Sequence, residues 1–134
     1  MAATVGAAGL IDTDILIDAA RGVAAAVAFV AAQRAGGGVH ISVISAMELV
    51  AGCQNKRDLA AVQQFLQAVV TVPVSSTTSQ AASALMETFF LSHGLLIPDA
   101  LIAATAQEMG ATLYTKNIRH FQMIPSLAVV RPYR

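Results

Sequence analysis

The chain has 134 residues, of which 56% are hydrophobic and only 12% charged, and its formal net charge is zero. This length suits one domain over residues 1–134 that buries its core without disulfides, and the single Cys53 excludes an internal disulfide and is consistent with a reducing cytoplasm. The zero net charge excludes a chain-wide basic field that would attract nucleic acid, so any such contact must be local.

The first half of the chain predicts strands and helices in alternation. MAATVGAAGL lacks the basic start of an export signal. GLID predicts a short buried strand, and DILIDAARG a helix that Gly22 stops. GVAAAVAFVAAQRAGGG predicts a second helix, whose apolar part is shorter than the roughly 20 residues that cross a membrane. VHISVIS predicts a β-branched strand that leads into a third helix, SAMELVAGC. We expect no membrane contact and a cytoplasmic location.

The second half continues the alternation. NKRDLAAVQQFLQAV predicts an amphipathic helix, TVPVS a short extended segment, and STTSQAASALMETFFLSHG a long helix that ends at His93 and Gly94, where His93 complements the helix dipole. DALIAATAQEMG predicts the next helix, TLYT a strand, KNIRHF a polar loop and LAVV the last strand. This order predicts a three-layer α/β/α domain with a mainly parallel central sheet.

Acidic side chains fall where predicted strands give way to helices. Asp12 ends GLID, Glu48 lies in the first turn of the helix after VHISVIS, and Asp99 begins the helix opened by Pro98. Because ligands gather at the carboxyl ends of parallel strands, we expect these carboxylates to lie on one rim of the sheet. Asn117 follows the strand TLYT at its carboxyl end and adds an amide oxygen at the same rim, and Thr115 and Lys116 lie beside it.

Each carboxylate also has a purely structural interpretation. Ser45 and Glu48 match a capping box, Asp99 suits the first turn of a helix, and any residue of Asp12–Asp14 suits the cap of the first helix. Three caps at one rim, however, bring like charges together, and this is unfavourable unless protons or a cation neutralise them.

A metal ion would remove that conflict. Oxygen ligands suit a hard cation, Mg²⁺ or Mn²⁺, in preference to zinc, which usually takes His or Cys. A carboxylate cluster that holds such ions can hydrolyse phosphodiesters, because the metal makes hydroxide from bound water and neutralises charge that develops on phosphate. The pattern therefore indicates metal-assisted nuclease chemistry.

The sequence resembles the PIN-domain family, specifically the VapC-type toxins of bacterial and archaeal toxin-antitoxin pairs. The resemblance runs nearly end to end through LIDTDILID, ISVISAMELVAG, IPDALIAATAQEMGATLYTKNIRHF and IPSLAVV. It implies a single PIN domain, a Mg²⁺- or Mn²⁺-dependent endoribonuclease activity on RNA, a small VapB-like antitoxin partner and a homodimer.

The resemblance also implies roles for individual residues. Asp12, Glu48 and Asp99 match the acidic metal ligands, and Asn117 matches a fourth position that holds Asp or Asn in family members. Asp14 occupies a position with a supporting role, as the helix cap or as a partner of a bound water. We therefore expect Asp12 to bind the metal and Asp14 to cap the helix.

One position departs from the family pattern. Many members have Asp directly before the Phe of the closing loop, where this chain has His120. Either one metal, or a second metal bound weakly or only with substrate, is compatible with this change. His120 is either a contact to RNA or a proton shuttle, or an uncommitted exposed residue. Lys116 and Arg119 either bind phosphates or are ordinary charges of a solvated loop.

The hydrophobic fraction of 56% is high for a chain with so few charged residues, and this apolar surplus has two interpretations. GVAAAVAFVAAQ and SALMETFFLSHG are richer in Ala, Val, Met and Phe than solvent-facing helices need, which suits a homodimer seam and an antitoxin groove, or else the core of a monomer.

Three other functions compete with the nuclease. A haloacid-dehalogenase-type phosphatase has Asp residues spaced like Asp12 and Asp14 but needs Thr or Val at the position of Leu16 and a late acidic pair, which this chain lacks. A receiver domain needs a phosphoacceptor Asp at the end of a central strand, but Asp58 lies in the polar NKRDL. A catalytically inactive PIN-like protein that only binds an antitoxin is the remaining alternative, and His120 is its support in the sequence.

Overall fold

A computed structural model describes residues 9–134, so most of MAATVGAAGL, and with it the prediction about an export signal, lies outside the described residues. Within the described range, the strands are β1 (Gly9–Ile11), β2 (His40–Ser42), β3 (Val70–Val72), β4 (Thr112–Tyr114) and β5 (Val129–Val130). The α-helices are α1 (Thr13–Ala20), α2 (Ala24–Gly36), α3 (Val43–Ala51), α4 (Lys56–Gln67), α5 (Ser76–His93) and α6 (Ile97–Met109).

The strands form one parallel sheet in the order β3-β2-β1-β4-β5. Successive strand residues point to opposite faces, so the central strand β1 contributes to a core on each side. Leu10 packs with α5 and α6 on one face, and Ile11 packs with α1, α2 and α3 on the other. The predicted three-layer α/β/α fold is confirmed, and the carboxyl ends of β1, β2 and β4 share one rim.

The turn between α5 and α6 sets the position of Asp99. α5 ends at Gly94, which adopts a left-handed conformation with φ of 68° and whose N–H donates to the carbonyl of Phe90 at 2.7 Å. A residue without Cβ takes that conformation at little cost. The chain then starts α6 at Ile97, with Pro98 in the first turn, so Asp99 lies at the N-terminal end of α6 as the sequence predicts.

The predicted strand VHISVIS is too long. β2 ends at Ser42, and α3 begins at Val43. The Ser42 hydroxyl accepts a hydrogen bond from the Ile44 N–H at 3.0 Å, and this N-cap outweighs the β-propensity of the branched residues that follow. Glu48 consequently lies in the second turn of α3, and the capping box predicted for Ser45 and Glu48 is wrong.

The apolar helix α2 is largely exposed. Its buried residues are Ala26 and Val30, while Val23 and Val27 beside them face outward. Within residues 9–134 no single helix is long and apolar enough to cross a membrane; α1 and α2 reach that length only together, with a bend of 113° between them. A large part of the apolar surplus of the sequence therefore lies on the surface and not in the core.

Candidate active site

Asp12 lies at the centre of the rim, directly after β1. Its side chain is only 6% exposed. Its Oδ1 accepts a hydrogen bond from the Thr13 N–H and its Oδ2 one from the Thr115 hydroxyl, each at 2.8 Å. Burial, and next the charge of Asp14, raise the pKa of Asp12 from 3.8 to about 7. A carboxylate this desolvated favours a proton or a cation beside it at neutral pH.

The first helix is capped by Asp12 and not by Asp14. The Asp12 backbone is extended and its carboxylate accepts from the first N–H of α1, whereas Asp14 lies inside the first turn. The prediction that Asp14 caps the helix is therefore wrong, while the prediction that Asp12 binds the metal stays a prediction. Asp12 is the single residue between β1 and α1, so its side chain can both cap the helix and face the rim.

Asp14 links α1 to the loop after β4. Its Oδ1 accepts from the Ile15 N–H at 2.8 Å, and its Oδ2 accepts from the Lys116 N–H at 2.9 Å. The Thr115 hydroxyl lies 3.4 Å from the same Oδ2. The carboxylate thus fixes the loop against the helix and places its charge next to Asp12.

Glu48 reaches the rim from the second turn of α3. The Thr13 hydroxyl donates to Glu48 Oε1 at 2.6 Å and lies 2.8 Å from the buried Ser45 Oγ. Glu48 itself is exposed. Thr13 therefore orients this carboxylate, a role that sequence reasoning missed because it depends on the packing of α1 against α3.

Asp99 faces the site from α6. Its Oδ2 lies 3.2 Å from His120 Nδ1. Burial raises the pKa of the Asp99 carboxyl, His120 opposes that rise, and the charges of Glu48 and Asp14 add to it. The charges of neighbouring carboxylates thus raise the pKa values of both Asp12 and Asp99, as the common position of these acids at the rim predicts. His120, the residue that departs from the family pattern, contacts one of them.

The loop after β4 closes the site on its remaining side. Thr115 is fully buried and accepts from the Asn117 N–H at 3.0 Å while it donates to Asp12. Asn117 precedes a short 3-10 helix, Ile118–His120, and its side chain is exposed. Arg119 is exposed on the same turn. Thr115 and the Lys116 N–H thus contact the rim carboxylates Asp12 and Asp14. Within residues 9–134 the Asn117 side chain forms no hydrogen bond to a carboxylate, so its place among the metal ligands stays a prediction.

Lys116 is occupied by a contact that the sequence did not predict. Its Nζ lies 2.6 Å from Asp18 Oδ2, which also accepts from the Tyr133 hydroxyl at 2.8 Å. The hydrogen bond from Lys116 is the main cause that lowers the pKa of Asp18, and burial is the main cause that raises the pKa of Tyr133. Because Lys116 is neutralised by Asp18, its charge is not free for a phosphate in this conformation.

The donor set suits a hard divalent cation. Asp12, Glu48 and Asp99 offer carboxylate oxygens, and Asn117 can add an amide oxygen. In residues 9–134 no three His, Cys, Asp or Glu side chains are gathered tightly enough to enclose an ion. Burial is the main cause that raises the pKa values of Asp12 and Asp99, and neighbouring carboxylates add to the rise. The donor chemistry of the side chains fits Mg²⁺ or Mn²⁺.

Comparison with known proteins yields close sequence relatives. Ribonuclease VapC19 of Mycobacterium tuberculosis is 39% identical over 120 residues, which cover 88% of this chain and 95% of the relative. Ribonuclease VapC10 of the same organism is 34% identical over 119 residues, which cover 88% of this chain and 89% of the relative.

Solved structures with the same fold cover nearly the whole chain. A toxin-antitoxin complex from Klebsiella pneumoniae has 32% identity and a TM-score of 0.76, covering 93% of this chain and 98% of that one. VapBC2 from Rickettsia felis, bound to a DNA fragment from its promoter, has 25% identity and a TM-score of 0.75, covering 90% and 96%. The PIN-domain family profile matches residues 9–125. The chain therefore belongs to the PIN-domain family, with VapC proteins among its relatives, as the sequence motifs predict.

Proposed function

We propose that this protein is a Mg²⁺- or Mn²⁺-dependent endoribonuclease and the toxin of a toxin-antitoxin pair. The observation that carries the proposal is the desolvated Asp12 carboxylate, surrounded by the charges of Asp14 and Asp99 at the carboxyl end of the central strand. The relatives named ribonucleases supply the class of substrate. A cytoplasmic location follows from this role.

In this proposal the residues divide the work. Asp12, Glu48 and Asp99 hold the cation, and Asn117 is a fourth oxygen donor. When bound, the cation supplies an activated water and neutralises charge on the phosphate. Thr115 fixes Asp12 through a bond to its Oδ2. At neutral pH the Asp12 carboxyl is close to its pKa, so binding of a cation there would be coupled to loss of its proton.

Thr13, Asp14 and His120 support this arrangement from around the carboxylates. Thr13 fixes Glu48, and Asp14 fixes the loop that carries Asn117. His120 contacts Asp99, where it is placed to order that carboxylate or to meet the substrate. His120 stands where many family members have Asp, and this change is compatible with one cation, or with a second cation that binds weakly or only with substrate.

The test is cleavage of a mixed RNA pool by the purified protein. We expect cleavage with Mg²⁺ or Mn²⁺ and none with chelator. We expect Asp99→Asn to lower the rate by at least about 100-fold, since it removes a charged ligand from the ion. Arg57→Ala, an exposed change on α4, serves as the control and should cleave like the wild type.

Two results would contradict the proposal. Cleavage that survives both chelator and Asp99→Asn would exclude the metal site as its source. A protein that binds its partner but cleaves no RNA under any of these conditions would instead be the inactive PIN-like binding protein.

The apolar surface supports two protein partners for this toxin. The first surface, the helical groove, is an open cavity of about 430 Å³ between α1, α2, α3 and α4, lined by side chains that include Leu16, Val27, Val30 and Phe65. The second, the α5–α6 ridge, consists of exposed Phe90, Leu91, Leu96 and Ile97. We assign the groove to a VapB-like antitoxin and the ridge to the homodimer contact, since exposed apolar surface of this kind marks interfaces.

A further inference from the structure

An open cleft of about 590 Å³ adjoins the candidate site on the side of the loop after β4. Five of the side chains that line it are Lys, Arg or His: His93, Lys116, Arg119, His120 and Arg131. They amount to three of the eight Lys and Arg residues and two of the three His residues of a chain whose net charge is zero. Among the described residues that line the cleft there is no Asp or Glu. Lys116 is paired with Asp18 and His120 faces Asp99, so within residues 9–134 Arg119 and Arg131 are the cations of the cleft that no carboxylate pairs.

The two arginines in this cleft keep donors available. Within residues 9–134, the exposed Arg119 side chain forms neither an ion pair nor a hydrogen bond. Arg131 donates from Nε to the carbonyl of Tyr133 at 3.0 Å and from Nη1 to that of Lys116 at 2.9 Å. A guanidinium has five N–H donors, so Arg131 is held in place and still has N–H groups left. Lys116, by contrast, is neutralised by Asp18.

Two residues of the cleft, His93 and Arg131, are remote in sequence from the loop that carries Arg119. His93 ends α5, where it suits the helix dipole, and Arg131 follows β5 close to the end of the chain. Only the fold places both beside Arg119. The cleft also meets the carboxylate cluster directly, because His120 belongs to its lining and lies 3.2 Å from Asp99 Oδ2. An extended polymer bound in the cleft would therefore reach the acidic rim.

We propose that this cleft, with Arg119 and Arg131 as its fixed cations, binds the phosphate backbone of single-stranded RNA next to the phosphodiester that the site cleaves. The inference rests on the proposed function for the identity of the polymer. Arg side chains match phosphate through paired N–H donors. His93 and His120 add rings on which a base can stack. These contacts position the strand and carry no sequence preference.

The test measures binding without cleavage. A labelled oligouridine of about 12 nucleotides is titrated with the full-length protein in chelator, and anisotropy is read between about 50 and 200 mM salt. We expect Arg119→Ala to weaken binding by about five- to tenfold at the lowest salt and to reduce the slope of log Kd against log salt by about 0.7, as for one lost phosphate contact. Arg131→Ala should do the same.

Two control variants show whether a loss of binding comes from the cation in the cleft or from a general change in charge or fold. Arg131→Lys keeps the cation but loses the paired N–H donors and the contacts to two carbonyls, so we expect a salt slope like that of the wild type and an affinity between those of the wild type and Arg131→Ala. Arg57→Ala on α4 makes the same charge change outside the cleft and should bind like the wild type. Thermal melts in the same buffer identify any variant that has lost its fold.

The outcome separates this proposal from the proposed function. Equal affinity and equal salt slope for wild type, Arg119→Ala and Arg131→Ala would overturn the RNA cleft even if the protein cleaves RNA. A loss of affinity in both variants, with no change in Arg57→Ala, would support the cleft even if cleavage in the metal assay fails.

Discussion

Two threonines organise the carboxylates of the candidate site. Thr115 donates to Asp12 Oδ2 at 2.8 Å, and Thr13 donates to Glu48 Oε1 at 2.6 Å. Both threonines are buried, and each connects a carboxylate to a different element of the fold. A hydroxyl donor can hold a carboxylate without adding charge, so the site keeps the excess negative charge that a cation requires.

The buried charge of Asp12 makes stability depend on pH in the absence of metal. The folded protein keeps the Asp12 proton up to about pH 7, whereas the unfolded chain loses it near pH 3.8. The folded state therefore binds more protons between these values, and its stability falls as the pH rises through them. Above about pH 7 both states are ionised, and the Asp12 contribution is constant.

We therefore expect Asp12→Asn to abolish RNA cleavage and yet to stabilise the metal-free protein at high pH. The gain should be small at pH 4 and reach up to about 4 kcal/mol at pH 8, at roughly 1.4 kcal/mol per unit of pKa shift. The Asn amide oxygen still caps α1. Urea unfolding in chelator at both pH values measures the difference, and a gain that is equal at pH 4 and pH 8 would contradict the buried charge.

Thr13 should act through Glu48. We expect Thr13→Val to lower the free energy of unfolding by about 1 kcal/mol, because Glu48 and Ser45 lose a hydroxyl partner. We also expect it to weaken Mn²⁺ binding by about tenfold, a typical effect of residues that orient a ligand. Thr13→Ser keeps the hydroxyl and should restore both quantities. Calorimetric Mn²⁺ titration and thermal melts measure them, and unchanged Mn²⁺ affinity in Thr13→Val would refute the role.

At the scale of elements, periodicity predicts the order of strands and helices but not where one gives way to the next. β2 is shorter than VHISVIS because the Ser42 hydroxyl caps α3. Such a cap depends on a single hydrogen bond, and the spacing of apolar residues does not reveal it. Asp12 caps α1 in place of Asp14 for the same kind of reason.

The acidic residues of the site were predictable because strand ends share a rim, but several of its contacts were not. Asp18, Lys116 and Tyr133 are far apart in sequence, and the closing segment RPYR has no periodicity that would predict its docking on α1. The cleft likewise depends on the end of α5 meeting the end of β5. Such contacts follow from tertiary packing alone.

The pairing of β1 with β4 requires a glycine at its first position. A Cβ built on Gly9 would overlap the Tyr114 ring, which packs edge-on against Phe29 with the ring centroids 4.9 Å apart. The ring can escape only by leaving that packing. Gly9 thus lets the aromatic pair lie against β1, the strand that directly precedes Asp12.

We expect Gly9→Ala to lower the free energy of unfolding by about 1–3 kcal/mol, as overpacking does in a dense core. Gly36→Ala at the end of α2 is the matched control, since nothing lies within 4 Å of its added Cβ; its stability should stay equal or rise slightly. Denaturant unfolding of both variants gives the comparison. Equal stability of Gly9→Ala and wild type would show that the ring accommodates the methyl group without cost.

At the scale of the whole molecule, the polar site and the exposed apolar side chains form distinct surfaces. The acidic rim adjoins the basic cleft, while the apolar side chains are exposed in the helical groove and on the α5–α6 ridge. The ridge follows α5 to the start of α6, which also carries Asp99. A partner on the ridge would therefore contact the start of α6, two residues before Asp99. A partner in the groove would contact α1, whose N-cap is Asp12.

The assignment of the ridge to the homodimer predicts a specific effect on assembly. Leu91 is 94% exposed and Val27, in the groove, is 46% exposed. We expect Leu91→Glu to raise the dimer dissociation constant by at least about tenfold, because a charge would be buried at the seam without a partner. Val27→Glu makes the same change in the groove and should leave the dimer intact. Sedimentation velocity over a concentration series measures both, and a dimer that Val27→Glu breaks and Leu91→Glu spares would reverse the assignment of the two surfaces.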